Sequence, residues 1–275
     1  MNASKFFQAG IDAIARTRSD AYPQAAVDER APRQASERSA RHGMTIEQMM
    51  AHIPHFPAET AMLGMCEDGL PVLFDLTDPR PGPLLLTGDS GSGKTTLMQG
   101  LLRSLIAANS PYEVKYALIP SKPDEWAAYE NSTGHCMAFQ PSYETAAGDT
   151  ILRLAEIADQ RRVGKEMGAS IVLLVDDLRF IARADFDVRL NFEWLLKCGP
   201  ELGVWPVVSL PAVAAREMSR LVSYFRTRLI GHMPEENSTR LTLFDGCNPE
   251  KLRPGKQFAV RVEDAWLRFY LPVRG

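Results

Sequence analysis

The sequence predicts an α/β fold in which a central, mostly parallel β-sheet is flanked by helices. From Leu84 onward, short apolar runs alternate with segments of helical periodicity, as expected for parallel strands joined by helical crossovers. A glycine-rich segment lies at the first of these strand-to-helix transitions. The 275 residues, 45% of them hydrophobic, suit either one large domain or one domain with an appendage.

The predicted strands and helices of this alternating part follow one another closely. Short runs rich in Val, Ile or Leu predict strands at 84–87, 114–119, 136–139, 171–175 and 204–210. Apolar residues at helical spacing predict helices at 94–108, 124–129, 143–167, 186–199 and 215–225. Residues 258–262 and 266–271, on either side of Glu263-Asp264, predict a final antiparallel pair of strands.

Two elements are predicted before the alternating part. Residues 61–66 and 71–75 predict a hairpin, because the Glu67-Asp68-Gly69 segment between them is typical of a turn. Thr45 and Gln48 fit a capping box, which predicts the start of a helix. Prolines after the helix would end it, at Pro54 and Pro57. The apolar side of the helix consists of Ile46, Met49, Met50 and Ile53.

The first part of the chain differs in composition from the rest. We expect residues 1–57 to be a helical or partly flexible N-terminal arm and residues 58–275 to form the main domain. Residues 5–16 have the spacing of a short amphipathic helix. Residues 16–41 are rich in Ala, Arg, Ser and Glu, which suits either an exposed helix or a flexible arm. Its arginines, diluted by acids, favour a solvated surface over a nucleic-acid contact.

Composition argues against several classes of protein. The net charge of −3 gives no overall basic signature, so any DNA contact would need a local patch. The four cysteines form no C-x-x-C pair, which favours reduced thiols over disulfides or a zinc site. His52 and His55 have no Cys or carboxylate cluster beside them, which favours a structural role. With no apolar run near the ~18 residues of a membrane span and no signal-peptide core, we expect a cytoplasmic protein.

Residues 84–105, LLLTGDSGSGKTTLMQGLLRSL, contain the phosphate-binding pattern G-x-x-x-x-G-K-[ST] between an apolar run and a helical pattern. Glycines without a Cβ let backbone N–H groups approach phosphate oxygens, and the following helix directs its partially positive N-terminus at the anion. We expect Lys94 to bind between the β- and γ-phosphates of ATP or GTP, and the Thr95 hydroxyl to bind Mg²⁺. The predicted nucleotide-binding residues are Gly88, Asp89, Ser90, Gly91, Ser92, Gly93, Lys94, Thr95 and Thr96. The alternative is a Gly/Ser-rich turn before a core helix.

A second part of the site is predicted where the strand at 171–175 ends. Asp176 and Asp177 follow this apolar run, at the position where phosphate-loop enzymes need an acid. Asp176 would hold Mg²⁺ through water beside Thr95, and Asp177 would orient or deprotonate the attacking water. The alternative is that both acids cap the next helix. Together with five strand-to-helix steps, the two parts predict a RecA-like P-loop NTPase core.

Several segments, taken in order, resemble the motor domains of the FtsK/SpoIIIE family of DNA translocases, within the FtsK–HerA group of ring-forming ATPases. Besides the phosphate loop, these are Lys122, Glu125 and Tyr129 in PSKPDEWAAYE, Gln160-Arg161-Arg162, IVLLVDDL, and LGVWPVVSLP. The likeness covers roughly residues 60 to 270. It implies ATP and Mg²⁺ as cofactors, a homo-oligomeric ring, and DNA or a secreted polypeptide as the translocated partner.

The sequence also departs from the family pattern at three catalytic positions. The family's T-Q sensor falls on Ser209 and Leu210, and Leu210 cannot hydrogen-bond a γ-phosphate. The family's trans-acting arginine falls near Pro200, with Lys197 or Arg189 as substitutes nearby. Asp177 is one methylene shorter than the Glu that is usual in efficient ATPases. This combination implies ATP binding with slow hydrolysis.

Three functions follow from these observations. The first is an FtsK-like ATPase that couples nucleotide turnover to moving DNA or a polypeptide through a ring. The second is a nucleotide-dependent switch or scaffold subunit with weak catalysis. The third is a kinase-type P-loop transferase with a lid of arginines, for which Arg179, Arg183 and Arg189 are the candidates.

Overall fold

The computed structural model describes residues 43–131, 134–164, 168–234, 246–262 and 265–273. The N-terminal arm as far as residue 42, including the amphipathic helix predicted at 5–16, lies outside these ranges. The organisation of the arm and the domain boundary at residue 57 therefore stay predictions. Within the described ranges, no helix is both long enough and apolar enough to cross a membrane.

A ten-stranded sheet runs through the described part of the chain. Its strands are β1 (Thr60–Cys66), β2 (Pro71–Asp75), β3 (Leu84–Gly88), β4 (Val114–Ile119), β5 (Cys136–Phe139), β6 (Ser170–Val175), β7 (Val204–Pro211), β8 (Thr227–Gly231), β9 (Gln257–Val262) and β10 (Ala265–Tyr270). Their order across the sheet is β2-β1-β10-β9-β8-β3-β7-β6-β4-β5. The strands from β8 to β5 in this order pair in parallel, and those from β2 to β8 pair antiparallel. The predicted α/β class with a mostly parallel sheet is confirmed.

The helices pack on both faces of this sheet. They are α1 (Ile46–Ala51), α2 (Lys94–Ala108), α3 (Ala127–Glu130), α4 (Thr145–Arg162), α5 (Arg179–Arg183), α6 (Phe186–Cys198) and α7 (Ser219–Val222). Strand β6 shows why two layers form, since Ile171 and Leu173 pack with α4 and α6 while Val172 and Leu174 pack with α2. Burial on both faces accounts for the continuous apolar run of this strand.

The predicted capping box at the start of α1 is confirmed. The Thr45 side chain accepts a hydrogen bond from the Gln48 backbone N–H, and the Gln48 side chain accepts one from the Thr45 N–H. The helix ends at Ala51, before either proline. Next to it, the backbone N–H of Val273 donates to the Met44 carbonyl at 2.9 Å, so the two ends of the described chain lie side by side.

Most predicted strand bounds agree with the structure, whereas three predicted helices are corrected. The segment at 124–129 is a 3₁₀ turn, Pro123–Trp126, followed by the single turn α3. The helix predicted at 143–167 begins at Thr145 and ends at Arg162, because Gly164 takes the left-handed φ of 86°. The helix predicted at 215–225 is wrong in extent. There the chain forms consecutive turns around the four-residue α7, which bury the same helically spaced apolar residues without a continuous helix. Strand β8 and helix α5 were not predicted.

Arg161 is a buried structural arginine at the end of α4. Its guanidinium donates to the carbonyls of Leu202 (2.9 Å), Gly203 (3.0 Å) and Ala169 (2.7 Å), which lead into β7 and β6. Burial lowers the pKa of this guanidinium, yet its hydrogen bonds go to carbonyls and join the helix to two neighbouring strands. In this chain the middle residue of Gln160-Arg161-Arg162 therefore stabilises the fold.

We expect Arg161→Met to lower the free energy of unfolding by about 2–4 kcal/mol, because a side chain of similar length would lose all three hydrogen bonds and remove the guanidinium donor from the half-buried carbonyls of Leu202 and Ala169. The melting temperature measured by circular dichroism should fall by roughly 5–10 °C. Arg162→Met is the matched control. Arg162 is exposed and pairs with Asp159 at 2.7 Å, so this variant should change stability by less than about 0.5 kcal/mol. Equal losses in the two variants would contradict the assigned role.

Candidate nucleotide-binding site

The carboxyl ends of strands β3, β4, β6 and β7 border one cavity of about 720 Å³. This is the edge where open α/β sheets place ligands. The cavity is lined by the loop after β3, the end of β6 and the segment after β4. The lining residues include Asp89, Ser90, Lys94, Thr95, Asp176, Asp177, Ser121 and Glu125. The loop and the acid pair, predicted separately, therefore face the same space.

The loop after β3 has a conformation that depends on its glycines. Gly91 and Gly93 have φ of 76° and 98°, in the left-handed region that disfavours other residues. A Cβ on Gly88 would lie 2.7 Å from the Ser92 Oγ, so a side chain there would collide with the loop itself. Gly93 is the N-cap of the 15-residue α2, and no side chain caps this helix end. The first two residues of this helix, Lys94 and Thr95, line the cavity, so its N-terminus lies at the cavity.

Lys94 is half-buried and folded back onto the loop. Its ammonium group donates to the carbonyls of Gly88 (2.8 Å) and Asp89 (2.9 Å), with the Ser92 Oγ at 3.4 Å. Burial lowers the pKa of Lys94, whereas the charges of Asp89, Asp176 and Asp177 act in the opposite direction. A phosphate anion in the cavity would provide the negative charge that compensates this buried cation.

Asp176 is a buried carboxylate at the end of β6. Its Oδ2 accepts hydrogen bonds from the Ser121 hydroxyl (3.1 Å) and the Trp126 indole N–H (3.2 Å). Burial raises the pKa of Asp176, and these two hydrogen bonds partly offset that effect. Mg²⁺ prefers hard oxygen ligands and is commonly held by one or two protein groups together with phosphates and water. The Asp176 carboxylate and the Thr95 hydroxyl, which line one cavity, are a donor set that fits this ion.

Asp177 is held by the arginine two residues later. The Arg179 guanidinium donates to both carboxylate oxygens, with Nε at 3.1 Å from Oδ1 and 2.9 Å from Oδ2, and Nη2 at 2.6 Å from Oδ2. The Arg179 backbone N–H also donates to Oδ1 at 2.9 Å. These contacts raise the pKa of Arg179. Asp177 lines the cavity, but its carboxylate already has a strong partner.

The positions that depart from the family pattern lie as follows. Ser209 lines the cavity, and its hydroxyl donates to the Asp176 carbonyl at 2.8 Å, whereas Leu210 is buried in the apolar layer on the α4 and α6 side. Pro200 is buried at the start of a 3₁₀ turn. Lys197 and Arg189 are exposed on α6, and the Lys197 ammonium lies 4.9 Å from the centre of the Tyr224 ring. These two cations do not line the nucleotide cavity.

Sequence reasoning missed several residues that line the cavity or contact its acids. Trp126 lies inside the 122–129 segment that resembles the family, but no pattern indicated that its indole would bind Asp176. The Asp-x-Arg spacing of Asp177 and Arg179 was a usable signal, because the same spacing recurs at Asp78 and Arg80. His232 lies after the unpredicted β8, and its carbonyl accepts a hydrogen bond from the Asp89 N–H at 3.0 Å.

Comparison with known proteins gives one family match and one curated relative. The model of the FtsK/SpoIIIE family matches residues 46–159, which contain the phosphate loop and the 122–129 segment. A curated relative is the chloroplastic magnesium-chelatase subunit ChlI of Chlamydomonas reinhardtii, 33% identical over 82 residues, which are 28% of this chain and 19% of that protein.

Solved structures show the same fold at low identity. EccC of Thermomonospora curvata (ATPases 2 and 3, in complex with a signal sequence peptide) superposes with a TM-score of 0.66 at 17% identity, over 85% of this chain and 44% of that one. EssC of Geobacillus thermodenitrificans (ATPases 2 and 3) superposes with a TM-score of 0.65 at 17% identity, over 81% of this chain and 47% of the EssC chain. The pCW3 conjugation coupling protein TcpA, as a monomer with ATPγS, superposes with a TM-score of 0.61 at 14% identity, over 80% of this chain and 70% of the TcpA chain.

This chain thus spans less than half of the EccC and EssC chains and about a fifth of the chelatase subunit. The predicted RecA-like P-loop fold is confirmed by these superpositions. The family match contains the segment that forms the loop side of the cavity. The resemblance of this chain to the FtsK/SpoIIIE group of P-loop ATPases, predicted from its motifs, is therefore confirmed.

Proposed function

We propose that the chain binds ATP with Mg²⁺ in the cavity between the phosphate loop and the acid pair. The observation that carries this proposal is that Lys94, Thr95, Asp176 and Asp177 line a single cavity. The loop backbone and the N-terminus of α2 would hold the triphosphate, and Lys94 would exchange its carbonyl partners for β- and γ-phosphate oxygens. Thr95 and Asp176 would hold Mg²⁺, which neutralises charge that develops on the phosphates.

Asp177 is the proposed base or positioning group for the attacking water. Its carboxylate would take the proton of the water while the new bond to the γ-phosphorus forms and the bond to the β–γ bridging oxygen breaks. Slow turnover is proposed because Asp177 is paired with Arg179 and the sensor position is occupied by Ser209 and the buried Leu210.

The activity proposed for the whole protein is movement of a polymer, DNA or a polypeptide, through a cytoplasmic ring of copies. EccC has been solved in complex with a signal sequence peptide, and TcpA is a conjugation coupling protein, so proteins of similar fold include one that binds a peptide and one that takes part in conjugation. In a ring, Arg189 is the proposed cation for the site of a neighbouring copy, because it is exposed on α6. Residues 58–275 would form the ATPase domain, with residues 1–57 as its arm.

A second candidate function is a nucleotide-dependent switch with little catalysis. The Asp177–Arg179 ion pair favours it, because a bound base gives slow hydrolysis while leaving Lys94 and Asp176 able to bind nucleotide.

Calorimetry and phosphate release, measured on the same full-length sample, distinguish these functions. Tight MgATP binding with turnover that rises on adding double-stranded DNA or a peptide carrying a secretion signal would support the motor. Tight binding with negligible phosphate release under every stimulation would support the switch. Absence of nucleotide binding would refute both.

A further inference from the structure

The ion pair between Asp177 and Arg179 separates two cavities. Both residues line the nucleotide cavity and also a second cavity of about 710 Å³, on the α4 and α6 side. The Arg179 side chain is half exposed, whereas only 17% of the Asp177 side chain is exposed. The guanidinium can therefore move into open space, while the carboxylate is fixed at the end of β6.

In the observed arrangement Asp177 is engaged with Arg179 and not with a reactant. Its two oxygens accept three hydrogen bonds from the guanidinium and one from the Arg179 backbone. A general base must be within hydrogen-bond reach of the water it activates, and here both oxygens of the Asp177 carboxylate are already occupied by Arg179. Arg179 must leave before Asp177 can act efficiently.

We propose that Arg179 is a positioning residue that gates hydrolysis by holding Asp177 in an inactive ion pair. This inference rests on the proposed ATP hydrolysis at the site and adds its regulation. Arg179 contributes no atom to the reaction. When it withdraws, the Asp177 carboxylate accepts the proton of the attacking water, phosphate and ADP leave, and the carboxylate then returns that proton to solvent.

The second cavity supplies alternative partners for the withdrawn guanidinium. Its lining includes four further carboxylates, from Glu144, Asp149, Asp185 and Asp187. Exchange of Asp177 for one of these carboxylates replaces one ion pair of Arg179 with another, so only the difference between the two pairs opposes opening. The gate therefore needs only a small driving force, which the bound triphosphate or a contact at the second cavity can provide.

The test compares steady-state ATP turnover of the full chain with that of Arg179→Ala and Arg179→Lys. We expect kcat of Arg179→Ala to rise by about tenfold or more, part of the ~10²–10⁴-fold that a positioned base contributes. KM should stay within about twofold, since the phosphate contacts are unchanged. Arg179→Lys should give an intermediate kcat, because a lysine cannot form the bidentate pair. In an Asp177→Asn background, Arg179→Ala should have no effect.

Arg80→Ala is a matched control. Arg80 contacts Asp78 with the same local geometry, including a 2.6 Å contact from Nη2 to Oδ2, but it does not line either cavity. This variant should leave kcat unchanged, and thermal melts of every variant establish that the fold is intact.

A kcat for Arg179→Ala equal to or below that of the unmodified chain, in a folded protein that binds ATP, would overturn the gate. A rise that persists in the Asp177→Asn background would also overturn it. Failure of the unmodified chain to bind ATP would instead refute the proposed function, so the two failures are distinguishable.

Discussion

Lys94→Ala should abolish measurable ATP hydrolysis and weaken triphosphate binding by about 2–3 kcal/mol, the value of a charge-assisted hydrogen bond that is lost in a half-buried site. In the structure, the Lys94 ammonium is held against the loop that would receive the phosphates, 2.8 Å from the Gly88 carbonyl. Differential scanning fluorimetry with and without MgATP measures the effect. The unmodified protein should melt at a higher temperature as ATP concentration rises, by mass action, and the variant should need roughly 30–150-fold more ATP for the same rise.

The nucleotide-free Lys94→Ala protein should melt within a few degrees of the unmodified one. Burial lowers the pKa of Lys94, which means that the charged side chain destabilises the folded state at neutral pH. Removing this charge offsets the loss of its hydrogen bonds. Lys122→Ala is the control, since Lys122 also lines the cavity but is exposed and pairs with Glu125 at 3.1 Å. A full response to ATP in Lys94→Ala would contradict the assigned role.

Asp176→Asn should lower Mg²⁺-dependent turnover by about 10²–10³-fold, as expected when a preorganised electrostatic group is removed from a reaction centre. The asparagine keeps an oxygen that can accept from Ser121 and Trp126, so the shape of the site is preserved. Turnover measured over a range of Mg²⁺ concentrations should show a weakened metal dependence. Asp149→Asn, which neutralises an exposed acid of the second cavity, should leave that dependence unchanged.

Asp176→Asn should not lower the melting temperature of the protein, although it lowers turnover. Burial raises the pKa of Asp176 in the folded chain, so its charged form destabilises the fold as the pH rises above the ordinary value of about 4. Without nucleotide or metal, Asp176→Asn should therefore melt at the same or a higher temperature at pH 7, and the difference should disappear below that value. A lower melting temperature at pH 7 would show that the carboxylate stabilises the fold.

Much of the fold could be predicted from the sequence, because the patterns that indicate its strands and loops involve residues close together in the chain. The apolar run that became β6 and the glycines of the loop after β3 each constrain the backbone within a few residues, so their bounds agreed closely. The segment at 215–225 was mispredicted because spacing alone cannot distinguish a continuous helix from a series of turns that buries the same residues. Strand β8 was missed because its run, Thr227–Gly231, is short and begins with polar residues.

The sequence motifs predicted which segments form the site, but they did not predict the side-chain contacts within it. The pattern around Lys94 indicated the phosphate side, and the acids after β6 indicated the metal side. The indole of Trp126 reaches Asp176 through tertiary packing, which no spacing in the sequence specifies. The contact between Arg179 and Asp177 is local, and the Asp-x-Arg spacing was a signal for it. The roles of the predicted site residues stay predictions that the variants described here test.

The hydrogen bond between Val273 and Met44 has a mechanical consequence. Tethers attached to the two ends of the described chain would emerge at nearly the same point, so a pull between them would first separate α1 from the end of β10. Tension would then remove strands from the antiparallel side of the sheet before reaching β3 and β6. The phosphate loop after β3 would therefore keep its place in the sheet until the antiparallel strands had been removed.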